Sequence, residues 1–160
     1  MSCDCKHIHT ITLMMDGIVD DAIAQSSADF RAFRSTATEQ SANADNIYED
    51  FVMTRDDKPL IVGEVRALVP MLYQQIRAYT PAYYADDASV VFRIESQDAN
   101  AGQRLMELLR KCIVWHILGW WYEMRSAELS ARYYEKSTAA ISDILSIVVP
   151  RFAERKLRYF

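Results

Sequence analysis

The sequence has 160 residues and a mass of 18.4 kDa, enough for one domain with a core of its own. Hydrophobic residues at 51% exclude a chain that is disordered throughout; only four glycines and four prolines exclude collagen-like or linker sequence and speak against a turn-rich β-sandwich. Eighteen basic against 22 acidic residues give a net charge of −4, which argues against bulk nucleic-acid binding.

Met1 is followed by Ser2, Cys3, Asp4 and Cys5, with no basic stretch leading into an apolar one, so no secretory leader is read here. Three cysteines offer no disulfide framework, and the expectation is a reduced, intracellular protein. Residues 1–16 read as an extended arm. His7, His9, Ile11 and Leu13 alternate with Ile8, Thr10, Thr12 and Met14, the period of a strand. From Gly17 to Arg34 the apolar positions Ile18, Val19, Ala22, Ile23, Phe30 and Phe33 recur at helical spacing. Residues 35–46 are Ser, Thr, Ala, Asn, Gln and acid without periodicity, which predicts a flexible loop.

Thr54-Arg55-Asp56-Asp57-Lys58-Pro59 is the clearest helix start in the chain: an Asp caps free N–H groups, and Pro59 needs none in a first turn. Ile61, Val65, Leu68, Val69, Leu72, Ile76 and Tyr79 then form one buried face, Pro70 inside the run predicts a kink, and Thr80-Pro81 ends the helix. Ser89 to Glu95 has strand composition. One strand needs a ladder partner, and the N-terminal arm or a neighbouring subunit are the two candidates.

Residues 101–149 read as helical almost throughout. Leu105, Leu108, Leu109, Cys112, Ile113, His116, Ile117, Trp120, Trp121 and Met124 make a face wide enough for a central helix. Arg125-Ser126-Ala127-Glu128 interrupts the pattern, either as a hairpin turn or as the exposed side of one long helix; the hairpin is favoured, since a helix near fifty residues is rare in a small domain. The apolar run Cys112 to Tyr122 is too short to span a bilayer. Residues 151–160 form a basic, aromatic tail: Arg151, Arg155, Lys156 and Arg158 against Glu154, interleaved with Phe152, Leu157, Tyr159 and Phe160.

Among chemistry-bearing groups, Cys3, Cys5, His7 and His9 have the ligand types zinc takes. On an extended strand they lie roughly 7 Å apart along one face, and no turn residue gathers them, so they are weak metal candidates. Cys112 and His116 are one helical turn apart and could form a nucleophile with its base or half a metal site; among Ile113, Ile117 and Trp120 the expected role is core or interface. The tryptophans have the same expected role. No phosphate-binding glycine loop, nucleophile elbow or kinase signature occurs, and no helix-turn-helix with a basic recognition helix. Apolar residues spaced along an exposed tail suit docking on another chain.

The order of these parts resembles the small helical head–tail connector (adaptor) proteins of tailed bacteriophages and prophages. The likeness runs from Tyr48 to Phe160. It comprises the Asp-rich helix start at Thr54–Pro59, the strand Val90-Val91-Phe92-Arg93-Ile94, and Trp120-Trp121-Tyr122-Glu123 leading into Ala131-Arg132-Tyr133-Tyr134. The arginine-rich segment Arg151–Arg158 completes it. The resemblance implies a virion structural protein, present in the bacterial cytoplasm during assembly. It implies a homo-oligomeric ring between portal and tail-completion proteins, with no catalysis, cofactor, membrane contact or specific nucleic-acid readout. Subunit or partner contacts are then expected at Val90, Phe92 and Ile94 and at Arg151, Phe152, Arg155, Lys156, Arg158, Tyr159 and Phe160. The alternative function carried by the residues is a small metal-binding or thiol enzyme using Cys112 and His116 or the N-terminal cluster. The predicted fold is mainly α: a small helical bundle with a kinked helix, a long Trp-rich central helix, a helical hairpin partner and a minor β element.

Overall fold

The computed structural model describes residues 6–36 and 51–149. In chain order they form β1 (His7–Met14), α1 (Met15–Thr36), a 3-10 turn (Arg55–Asp57) and α2 (Lys58–Ile76). A second 3-10 turn (Arg77–Tyr79), β2 (Ala82–Ala85), β3 (Ser89–Ser96), α3 (Gly102–Tyr122) and α4 (Ala127–Val148) follow. The fold is a small, mainly helical bundle with a three-stranded antiparallel sheet of order β1-β3-β2.

The arm is the strand that β3 needed. β1 pairs with β3 from His7 opposite Ser96 to Met14 opposite Ser89, so Ile11 and Leu13 face inward beside Phe92 and Val90. Alternation in β1 places its ladder and its apolar face together, and one slip of register would turn Ile11 and Leu13 to solvent. Val90, Phe92 and Ile94 are fully buried in the core of their own chain. This corrects the expectation that they touch a neighbour: their surface is already spent inside the subunit. β2 was not foreseen. Ala82-Tyr83-Tyr84-Ala85 is too short to show alternation, and it is fixed by the loop behind it, where Asp86 accepts backbone hydrogen bonds from Ala88 (2.8 Å) and Ser89 (2.7 Å).

α1 starts at Met15, two residues before the sequence reading, and Ser35 and Thr36 still belong to it; the rest of the predicted loop lies outside the described residues. α2 begins as its sequence indicates. The Asp57 carboxylate accepts from the Thr54 backbone N–H (2.8 Å) and hydroxyl (3.0 Å), and Pro59 sits in the first turn. The helix continues through Pro70 to Ile76 and buries the face that its spacing marks. At the start of α3, Asp98 shapes the preceding turn by accepting from Asn100 N–H (2.8 Å), while Ala101 stands at the cap position.

The hairpin is formed. α3 ends at Tyr122, a turn covers Glu123–Arg125, and Ser126 caps α4 by accepting from Leu129 N–H at 3.3 Å. α3 is the central helix, buried on several sides. Its contact with α4 is set by small residues: Ser130 donates to the Gly119 carbonyl (2.9 Å) and Ser137 to the Cys112 carbonyl (3.0 Å). The two bonds are two turns apart on each helix, so they fix the antiparallel register of the pair.

Candidate interaction site

Cys112 and His116 share a face of α3 but not a chemistry. The Cys112 thiol is buried against Ser137, 3.4 Å from its hydroxyl, and burial pushes its pKa up to about 11. It is therefore protonated at neutral pH, and a thiol in that form is a poor nucleophile. His116 turns elsewhere: its Nε2 is 3.9 Å from a Glu64 oxygen and its ring meets the edge of Tyr134 at 5.2 Å. Burial lowers its pKa below the ordinary value, with Glu123 opposing, so the imidazole is neutral at pH 7.

The N-terminal histidines are separated in role as well. His7 is exposed at the start of β1. His9 shares its Nε2 with the Ser96 hydroxyl (2.9 Å) and the Asp98 carbonyl (3.0 Å), and Gly102 leaves it room, since a Cβ there would stand 3.1 Å from Nδ1. Cys3 and Cys5 lie outside the described residues. Among the described residues no group of three or more His, Cys, Asp or Glu is placed to hold a metal ion. Trp121 is buried, donates its indole N–H to the Phe51 carbonyl (2.8 Å) and carries the Arg125 guanidinium 3.8 Å over its ring. The candidate contact residues Arg151, Phe152, Arg155, Lys156, Arg158, Tyr159 and Phe160 also lie outside the described residues.

The site that sequence reasoning missed is a groove of about 270 Å³ between α2 and α4, floored by α3 at His116. Leu68, Met71 and Leu72 form one wall; Tyr134, Thr138 and Ile141 form the other. At one end stand Glu64 and Glu123. The Tyr134 hydroxyl donates to the Glu123 carboxylate. Burial and the neighbouring charge of Glu123 hold the Glu64 carboxyl above its ordinary pKa. Tyr134 is placed by Gly119: a Cβ at that position would come within 2.9 Å of the Tyr134 ring. The groove thus joins apolar walls to an acceptor-rich, acidic end. Its residues come from three helices, and no local motif could have gathered them; Gly119 inside the Trp-rich run is the one local clue.

A larger hollow, about 500 Å³, lies between α1 and α3. Its charges are balanced, with Asp21 and Glu107 against Arg110 and Lys111, and Arg110 bonds Asp21 at 2.5 Å. It therefore presents no net field to a charged ligand. No protein-family model, curated protein or solved structure matches the chain. Among the described residues no helix is long and apolar enough to cross a membrane.

Proposed function

We propose that the chain is a non-enzymatic structural protein of a tailed bacteriophage or prophage, a head–tail connector (adaptor) subunit that self-associates into a ring and docks on portal and tail. The observation that carries this reading is the distribution of exposed large apolar side chains. Met124 at the tip of the α3–α4 turn is 93% exposed, Leu60 and Met71 on α2 and Met14 on β1 are each 59%, Tyr84 is 58% and Ile8 52%. They point from the hairpin tip, from α2 and from the outer face of the sheet. A single ligand pocket does not need surface in so many directions; a subunit with neighbours on more than one side does. The buried, protonated Cys112 counts against the thiol-enzyme alternative.

The test is native mass spectrometry of the purified protein over a range of concentrations, with and without zinc. Metal-free oligomers extending to a closed ring are expected. A chain that stays monomeric throughout, or a monomer that holds one zinc per chain, overturns the reading.

A further inference from the structure

We propose that the α2–α4 groove of one subunit receives residues 151–160 of a neighbouring copy, the basic groups of that segment meeting Glu64 and Glu123. The inference rests on the assembly reading and names the contact that would build the ring.

Charge complementarity is the first argument. The segment holds four basic residues and one acid, so the rest of the chain holds 14 basic against 21 acidic. Attraction between a cationic segment and the anionic body of another copy follows from that division. Within the body the groove is a focus for it. Glu64 and Glu123 stand close together, none of the residues lining the groove is a lysine or arginine, and His116 beside them is neutral at pH 7. The like-charge cost at Glu64 is relieved when a guanidinium or ammonium arrives between the two carboxylates.

Shape and polarity are the second argument. The walls at Leu68, Leu72 and Ile141, with the exposed Met71, suit apolar and aromatic side chains, and the segment supplies Phe152, Leu157, Tyr159 and Phe160. Methionine adapts to such partners because its unbranched thioether repacks easily.

Reach favours a neighbour over the same chain. α4 runs from the acidic end of the groove towards Val149, and Val149 leaves it in an extended conformation (φ −68°, ψ 123°) before Pro150. Val149 is about 22 Å along the helix from the level of Tyr134, at 1.5 Å per residue. A return within the same chain would use about four residues to reverse direction, and each residue after that covers ~3.4 Å at most. Arg151, Arg155 and Lys156 then fall short of Glu64 and Glu123; Arg158 alone, about 17 Å along such a return, comes within a side chain's length of them. A neighbouring copy has no such constraint. The groove and the segment are different surfaces, so their contact is head-to-tail, the kind that closes into a ring when the rotation permits.

The experiment uses the full-length protein with p-benzoylphenylalanine in place of Phe152 or Phe160, mixed with unlabelled and 15N-labelled copies, irradiated and mapped by mass spectrometry. Cross-links between chains of different isotope content, landing on residues 64–75 or 134–141, are expected. Met71→Arg, a change at an exposed position, is expected to lower their yield about tenfold. Glu64→Lys with Glu123→Lys is expected to do the same, and Arg155→Glu with Lys156→Glu in the same chain is expected to restore it. Oligomers whose cross-links lie elsewhere, or lie in the groove of the same chain, overturn this inference and leave the assembly reading standing. A monomer without interchain cross-links overturns both.

Discussion

Tyr134 lies flat on Gly119, where one methyl group has no room. Alanine gains about 1 kcal/mol over glycine in helix propensity, but forcing a close contact apart costs about 1–3 kcal/mol. Gly119→Ala is therefore expected to destabilise the protein in urea unfolding, and in a Tyr134→Ala background the same change is expected to become neutral or stabilising. A second buried contact ties α1 to the hairpin: Asp29 accepts from the Tyr133 hydroxyl at 2.6 Å and from the Tyr122 hydroxyl at 3.2 Å. Burial and the Asp29 charge raise both phenols above their ordinary pKa of 10.0. The folded state then keeps protons that the unfolded state gives up, so stability declines as pH rises past about 10. Tyr133→Phe is expected to cost about 1 kcal/mol at pH 7 and to make that alkaline decline shallower. Cys112, protonated and buried, is expected to react with iodoacetamide only when the chain opens, which peptide mapping of native and urea-treated samples would read directly.

Each helix could be read in the sequence because its signal is local. The Thr54–Pro59 start, the apolar face from Ile61 to Ile76 and the break at residues 125–128 are all written within a few turns; the structure has α2 where they indicate and the α3–α4 hairpin with its turn two residues earlier, at Glu123–Arg125. The sheet was legible in part. β1 alternates, yet which partner β3 takes depends on residues 75 to 89 positions away, and β2 is four residues of Ala and Tyr with no period to detect. Joining β1 to β3 makes the core depend on distant segments, and Phe92→Ala, which empties a fully buried site, is expected to cost about 3–5 kcal/mol in chemical unfolding. The groove was illegible for a similar reason: Glu64, His116, Glu123 and Tyr134 meet only once three helices are packed. Its acidic end carries a pH signature. Because the Glu64 carboxyl is raised above 4.5, its ionised form opposes folding above that pH. Glu64→Gln is expected to raise the melting temperature at pH 7, with the difference from wild type closing as pH falls below 4.5.

At the scale of the molecule the division of charge sets how subunits should respond to salt. An association driven by a cationic segment on an anionic groove weakens as ionic strength rises, because the screening length shortens from about 10 Å at 0.1 M to about 3 Å at 1 M. Oligomers seen by native mass spectrometry or light scattering at low salt are accordingly expected to dissociate towards 1 M NaCl, and removal of residues 151–160 is expected to abolish assembly while far-UV circular dichroism and cooperative unfolding persist. Cohesion within the subunit has a different origin. The chain re-enters the described fold at Phe51, whose carbonyl takes the Trp121 indole N–H, and Met53 donates its backbone N–H to Ser26, a fully buried serine on α1, at 3.0 Å. β1 and α1 are thus held by β3, α3 and that serine as well as by the covalent chain. A polypeptide cut between residues 36 and 51 would yield two pieces, neither with the whole core, since six of the 31 buried apolar side chains among the described residues lie before the cut and 25 after it; co-expressing the pieces as separate genes should reconstitute the fold.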